Sequence, residues 1–247
     1  MKLRIALIGY GKMGQVVEKE AIARGHEVIL KADRQDVHQA TLLRPGDCDC
    51  FIEFTNPGSA LPNFRSLLPT GIPIVTGTTG WLSHLEQIRS EVLTAGGCFL
   101  HSSNFSIGVN VLFLLNRTLA TLMDGYPQYD CHIEESHHRH KKDAPSGTAN
   151  SLAAQILDAL DRKSRTVHAD LLHRSPEADE LSIAFIRAGE IVGRHAVTYT
   201  SDIDQIRISH EAYNRRGFGL GAVLAAEWVQ GKKGFYEFSE IFELLGK

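Results

Sequence analysis

Over the first hundred residues, short apolar runs alternate with stretches of helical spacing. LRIALIG reads as a strand, and Met13, Val16, Val17 and Ala21 then recur on one face of a helix. EVIL, CFIEF, IPIVT and CFLHS follow as further strands, with helical segments such as LSHLEQIRSEVL between the later ones. Strand, helix, strand at this spacing predicts an α/β domain over residues 1–104, a doubly wound parallel sheet with helices on both faces.

After Asn104 the rhythm changes. DCHIEESH alternates as a strand, and a helix over residues 147–162 carries Ala149, Leu152, Ala153, Ile156, Leu157 and Leu160 on one face. LSIAFIRAG, IVGRHAVTYTS and DQIRISHEAY then read as strands joined by tight connections. This pattern predicts a smaller α+β domain, residues 105–214, with an open mixed or antiparallel sheet. The tail, residues 215–247, reads as one more amphipathic helix with Leu220, Val223, Leu224 and Trp228 at helical spacing.

A chain of 247 residues is long enough for two such cores. With 43% hydrophobic residues, 22% charged residues and a formal net charge of −3, it has an ordinary soluble composition that argues against a general affinity for nucleic acid or anionic membrane. Apolar runs such as VLFLL fall far short of the roughly 20 residues of a membrane helix, and the basic, apolar start runs into glycines too soon for a signal sequence. The expected compartment is the cytoplasm. Cys48, Cys50, Cys98 and Cys131 form no C-x-x-C pair and read as buried, reduced thiols.

GYGKMG, comprising Gly9, Tyr10, Gly11, Lys12, Met13 and Gly14, has the form G-x-G-x-x-G between the first strand and the first helix. In that context the loop is a Rossmann-type dinucleotide site: the glycines let the backbone approach a pyrophosphate, which then lies against the helix N-terminus. Asp33 stands about twenty residues further on, where a carboxylate binds ribose hydroxyls and repels a 2′-phosphate. Arg34 beside it and Lys12 in the loop could pair that phosphate, so NADH and NADPH both remain open as cofactors. GTTGW and SSNFS fall at the ends of later strands, where open parallel sheets bind ligands, and their small residues suit contact with a nicotinamide ribose.

The densest chemistry is EESHHRHKKDAPSGTAN, residues 134–150. Its histidines and acids could ligate zinc, but His137 and His138 point to opposite faces of a strand, and Arg139, Lys141 and Lys142 would crowd a dication. No metal is expected. A nucleic-acid patch is not supported either, because the run is short and has no interleaved aromatics. Pro145, Ser146, Gly147 and Thr148 open the amphipathic helix, which places an anion site beside the cations and suits a small carboxylated substrate.

HHRHKKDAPSGTA closely resembles the signature of the dihydrodipicolinate reductase family, and GTTGW, NFSIGVN, RAGEIVGRH and GAVLAAEWV resemble further family segments in the same order. The resemblance covers nearly the whole chain. It implies NADH- or NADPH-dependent reduction of 4-hydroxy-tetrahydrodipicolinate, a cyclic dicarboxylate, to tetrahydrodipicolinate in the diaminopimelate route to lysine. It also implies that His137 protonates the carbon skeleton, that Lys141 is a second proton donor and carboxylate ligand, and that His138, Ser146, Gly147 and Thr148 bind substrate. Gly9 to Gly14, Asp33, Arg34, Gly77, Thr78, Thr79, Ser102, Ser103, Asn104 and Phe105 match cofactor-contacting segments, and Arg215 matches an arginine between the domains. A homotetramer formed through the second domain's sheet is implied as well, and so is the return of the 215–247 tail helix to the dinucleotide-binding domain. The chain departs from the family in the glycine loop, which is commonly one residue longer with arginine where Lys12 stands, in the serines of SSNFS, and at Tyr213 and Asn214 before Arg215.

Overall fold

Strand β1 (Arg4–Ile8) is buried along nearly its whole length, as a central strand covered on both faces must be. In this computed structural model, which describes residues 1–33, 36–168 and 174–243, the chain forms two units, Met1–Ile107 with Arg215–Lys247, and Gly108–Asn214.

In the first unit β1 pairs in parallel with β2 (Glu27–Ala32) on one side and β3 (Cys50–Glu53) on the other. β4 (Ile74–Thr76) and β5 (Cys98–His101) continue the parallel sheet beyond β3. Ile5 and Leu7 face one core with Val17 and Ala21 of α1 (Lys12–Ala23), whereas Ala6 and Ile8 face a second core with Phe64 of α3 (Pro57–Leu67) and Ile88 of α4 (Leu85–Thr94). Successive residues of one strand therefore fill opposite layers, which is why these strands read as unbroken apolar runs. A short helix, α2 (Val37–Ala40), follows β2.

The second unit opens with α5 (Ile107–Asp124) and places β6 (Asp130–His137), β7 (Arg165–Val167), β8 (Glu180–Arg187), β9 (Gly193–Thr200) and β10 (Gln205–Ala212) in the order β10-β9-β6-β8-β7. β9 runs antiparallel to β10 and β6, while β6, β8 and β7 are parallel, so the sheet is mixed. The predicted stripe of α6 (Gly147–Ala159) is buried at Ala149, Leu152, Ala153 and Ile156, against Ile133, Leu181, Val197 and Tyr199. α5 is long and apolar enough to match a membrane span, which VLFLL alone did not suggest. Its buried Asn116 donates to Leu152 O at 3.1 Å and to Gln155 Oε1 at 2.9 Å, bonds that join it to α6.

The tail returns to the first unit as α7 (Arg216–Trp228), β11 (Gly234–Glu237) and α8 (Glu240–Glu243). α7 buries Gly219, Gly221, Ala222, Val223, Ala225 and Ala226, whereas the predicted Leu220, Leu224 and Trp228 are only half-buried. The small face is needed because the backbones approach closely: a Cβ on Gly221 would stand 1.8 Å from Phe105 O, and one on Gly219 2.8 Å from Val16 Cγ1. β11, which the sequence pattern did not suggest, extends the first sheet beside β5, making six parallel strands.

Candidate active site

The first sheet has the order β2-β1-β3, so the chain reverses direction of progress at β1, and the crevice above the strand ends there is where such sheets hold ligands. The glycine loop lies in that crevice. Gly9 has φ of +91°, and a Cβ on it would meet Phe54 O at 2.1 Å, so only glycine fits. Gly14 packs on the carbonyl of Gly9, while open space surrounds the Cβ position of Gly11, where a pyrophosphate can come close to the backbone. Gly11 is the N-cap of α1 and has no side-chain cap, and Lys12 and Met13 begin the helix, Lys12 exposed and Met13 half-buried. Asp33 accepts a hydrogen bond from Tyr10 N–H at 2.9 Å, which ties the loop to the end of β2. The Tyr10 side chain turns away to the Glu18 carboxylate, under the Lys31 ammonium.

Beneath the neighbouring loops lies Glu53, fully buried at the end of β3. Its carboxylate accepts from the hydroxyls of Thr55 and Thr76, the latter at 2.5 Å, and burial pushes its pKa upward against those hydrogen bonds. Thr55 N–H donates to Thr78 Oγ1 at 2.8 Å, so the loops after β3 and β4 are joined. Trp81, buried against Phe64 and Phe99, donates to Thr78 O at 2.7 Å and pins the GTTGW loop. Cavities of about 230 and 330 Å³ open here; both are lined by Gly11, Phe54 and Thr55, the first also by Asp33 and the second by Lys12, Gly77, Thr78 and Thr79. Ser102, Ser103 and Thr79 share a smaller hollow. Ser102 Oγ and Asn104 bond to each other, and Asn104 Oδ1 accepts from Ser106 N–H at 2.9 Å. Phe105 packs its ring into the core beside Phe54 and Phe238. Arg215 is exposed at the N-cap of α7, and Arg34 lies outside the described residues.

In the second unit the strand period places Cys131, Ile133, Glu135 and His137 of β6 on the buried face. Register then sets Glu135 opposite His195 of β9, and His137 opposite Arg187 of β8. His137 Nδ1 lies 2.8 Å from Glu135 Oε2, Arg187 Nη2 lies 2.7 Å from Oε1, and Ser146 N–H donates to the same Oε1 at 3.1 Å. Burial alone would raise the Glu135 pKa, but contacts from His137, Arg187 and Ser146 outweigh it and hold the group down at about 2. His195, pushed down to about 4 by burial and then by the charge of His137, is neutral near pH 7. Its Nε2 lies 3.0 Å from Ser146 Oγ, which also caps α6 by accepting from Ala149 N–H at 3.2 Å.

One carboxylate thus brings together His137 and Ser146, both singled out from the sequence. Lys141 pairs with Asp143 at 2.8 Å in the loop between them, and Arg187 donates to Asp143 O at 2.8 Å. Gly147 is exposed with open space at its Cβ position, and Thr148 is half-buried beside it. His138 is half-buried just past β6, and its ring lies 6.2 Å from the exposed ring of His140. Among the described residues, the ligand atoms of Glu135, His137 and His195 come within 4.8 Å of one another, as a metal site would require. Arg187 already neutralises that carboxylate, so the cluster reads as an ion-paired histidine support.

Two family models match consecutive parts of the chain: dihydrodipicolinate reductase, N-terminus, over residues 3–105, and dihydrodipicolinate reductase, C-terminus, over residues 108–242. The chain belongs to the dihydrodipicolinate reductase family. The 4-hydroxy-tetrahydrodipicolinate reductase of Christiangramia forsetii is 40% identical over 245 residues, covering 99% of this chain and 100% of that protein. The Archaeoglobus fulgidus reductase of the same name is 32% identical over 263 residues, covering 98% of this chain and 100% of its own length. The solved structure of dipicolinate-bound dihydrodipicolinate reductase from Paenisporosarcina sp. TG-14 shares the fold, with a TM-score of 0.75 at 23% identity over 98% of this chain and 100% of that one.

Within this family frame, the sequence pattern missed Glu53 and Thr55 in the first unit and Arg187, Gly193 and His195 in the second. Glu135 was legible only as a possible metal ligand. The available signal was its spacing: an acid two residues before His137 on an alternating strand shares its face.

Proposed function

We propose that the first unit binds NADH or NADPH at the glycine loop and that the second unit binds the substrate between Lys141 and the start of α6. The reaction is the reduction of 4-hydroxy-tetrahydrodipicolinate to tetrahydrodipicolinate, the step of the diaminopimelate route to lysine named for the relatives. A hydride and a proton enter and a water leaves. The hydride comes from nicotinamide C4, and the one proton that quenches the charge built up in the ring comes from the His137 and Lys141 side. Lys141, His138, Ser146, Gly147 and Thr148 hold the carboxylates, helped by the positive end of α6.

The observation that carries this assignment is the double use of Glu135, whose two oxygens meet His137 Nδ1 and Ser146 N–H. The nearness of His137 to the N-terminus of α6 supports a proton donor beside a carboxylate-binding end. A dicarboxylate explains why cations are gathered there. Exposed Ile186 on the opposite face of the second sheet supports association through that sheet, and we infer a homotetramer. The free, buried cysteines Cys48, Cys50, Cys98 and Cys131 support a reducing, cytoplasmic location.

The test is the loss of absorbance at the reduced-nicotinamide band with freshly made substrate and each cofactor in turn. Substrate-dependent oxidation supports the assignment. Cofactor binding without turnover, or turnover only with another dicarboxylate, overturns it.

A further inference from the structure

The family resemblance gives roles to His137, Lys141 and the start of α6, and none to the residue that touches two of them. We propose that Glu135 is a positioning residue that locks the His137 ring and the N-terminus of α6 into one rigid part, with Arg187 extending the lock to the Lys141 loop. This inference rests on the reductase assignment and deepens it.

Glu135 is 1% exposed, and a buried carboxylate is retained only when it is paired. Here its partners come from separate elements. Oε2 stands at ion-pair distance, 2.8 Å, from His137 Nδ1 without the alignment of a hydrogen bond, and Oε1 receives Ser146 N–H at 3.1 Å and Arg187 Nη2 at 2.7 Å. Arg187 Nη2 also donates to Asp143 O, and the Asp143 carboxylate holds Lys141 Nζ at 2.8 Å. A continuous chain of contacts therefore runs from one proposed proton donor to the other.

The same geometry assigns the histidine nitrogens. A negative charge 2.8 Å from Nδ1 favours the proton there by Coulomb attraction and leaves Nε2 as the nitrogen that exchanges protons with the substrate. Gly193 stands across the sheet on that side: a Cβ there would come within 3.2 Å of Nε2, and glycine leaves the ring edge clear. The neutral His195 ring packs edge-on to His137, with centroids 5.1 Å apart, and limits its rotation.

A plainer role would be neutralisation of Arg187, and two variants separate the possibilities. Glu135→Gln keeps the volume, and Glu135→Leu with Arg187→Met removes both charges at once, which need not destabilise the fold. In each, kcat should fall roughly tenfold to a hundredfold while cofactor affinity, read by fluorescence, stays unchanged. The ¹⁵N imidazole shifts of His137 should change from the Nδ1–H to the Nε2–H tautomer in the double variant. Wild-type kcat in Glu135→Gln, or a double variant that regains both stability and kcat, would overturn the proposal. If the wild-type chain does not turn over the substrate, the reductase assignment fails, and the ¹⁵N comparison still decides whether Glu135 holds the ring.

Discussion

His137 Nδ1 lies 2.8 Å from Glu135 Oε2, two residues earlier on the same strand and on the same face. The pair exists because a strand repeats every second residue, and it tolerates burial because Arg187 and Ser146 N–H both bond the other carboxylate oxygen, Oε1.

Stability should fall on acidification in two stages. His195 and His101 are each held near 4 in the fold, by burial first, against an ordinary value of 6.5. A group depressed in this way contributes stability that is present above its unfolded value and lost as pH falls towards its folded one, so melting temperature should drop between 6.5 and about 4. Glu135, held at about 2 against an ordinary 4.5, adds a second loss at lower pH. Thermal melts across this range check the order, and a flat profile from pH 6.5 to 4 would contradict it.

At the nucleotide end, Asp33→Asn should weaken NADH binding by about tenfold and NADPH binding less. Tyr10 N–H holds this carboxylate at the end of β2; in the proposed binding mode it accepts from a ribose, and losing its charge removes repulsion of a 2′-phosphate. Titration of each reduced cofactor against protein fluorescence measures the ratio; equal losses for both would count against this placement.

Glu53 is buried and serves several hydroxyls at once, so Glu53→Ala should cost about 1–3 kcal/mol by leaving them unsatisfied. Because Thr55 and Thr78 connect the two loops lining the larger cavity, cofactor affinity should fall with stability. Urea denaturation and cofactor titration test the coupling; unchanged affinity in a destabilised variant would break it.

Gly221→Ala should destabilise the first unit by at least 1–3 kcal/mol, roughly the cost of overpacking a close contact, because its Cβ would overlap Phe105 O. Leu224→Ala, on the half-buried side of α7, should cost less. Urea melts that rank the two the other way would show that the large residues of α7 carry its packing.

The strands of the first sheet were legible because Ile5 and Leu7 serve one core and Ala6 and Ile8 the other, which forces a continuous apolar run. The stripe of α6 was legible because large residues alternate with polar ones at helical period. In α7 the pattern found Val223, which is buried, but not the glycines and alanines beside it, because periodicity cannot register how closely two backbones approach. In the site, the run from His137 to Thr148 was visible as one stretch, whereas Arg187 stands 52 residues from Glu135 and meets it only through strand register.

The most direct test is a comparison of kcat for wild-type protein, His137→Ala and Lys141→Ala with freshly made 4-hydroxy-tetrahydrodipicolinate and a saturating reduced cofactor. Each substitution should lower kcat by roughly 10²-fold or more while leaving cofactor binding intact. Full activity in both variants would contradict the assignment of these residues as the proton donors.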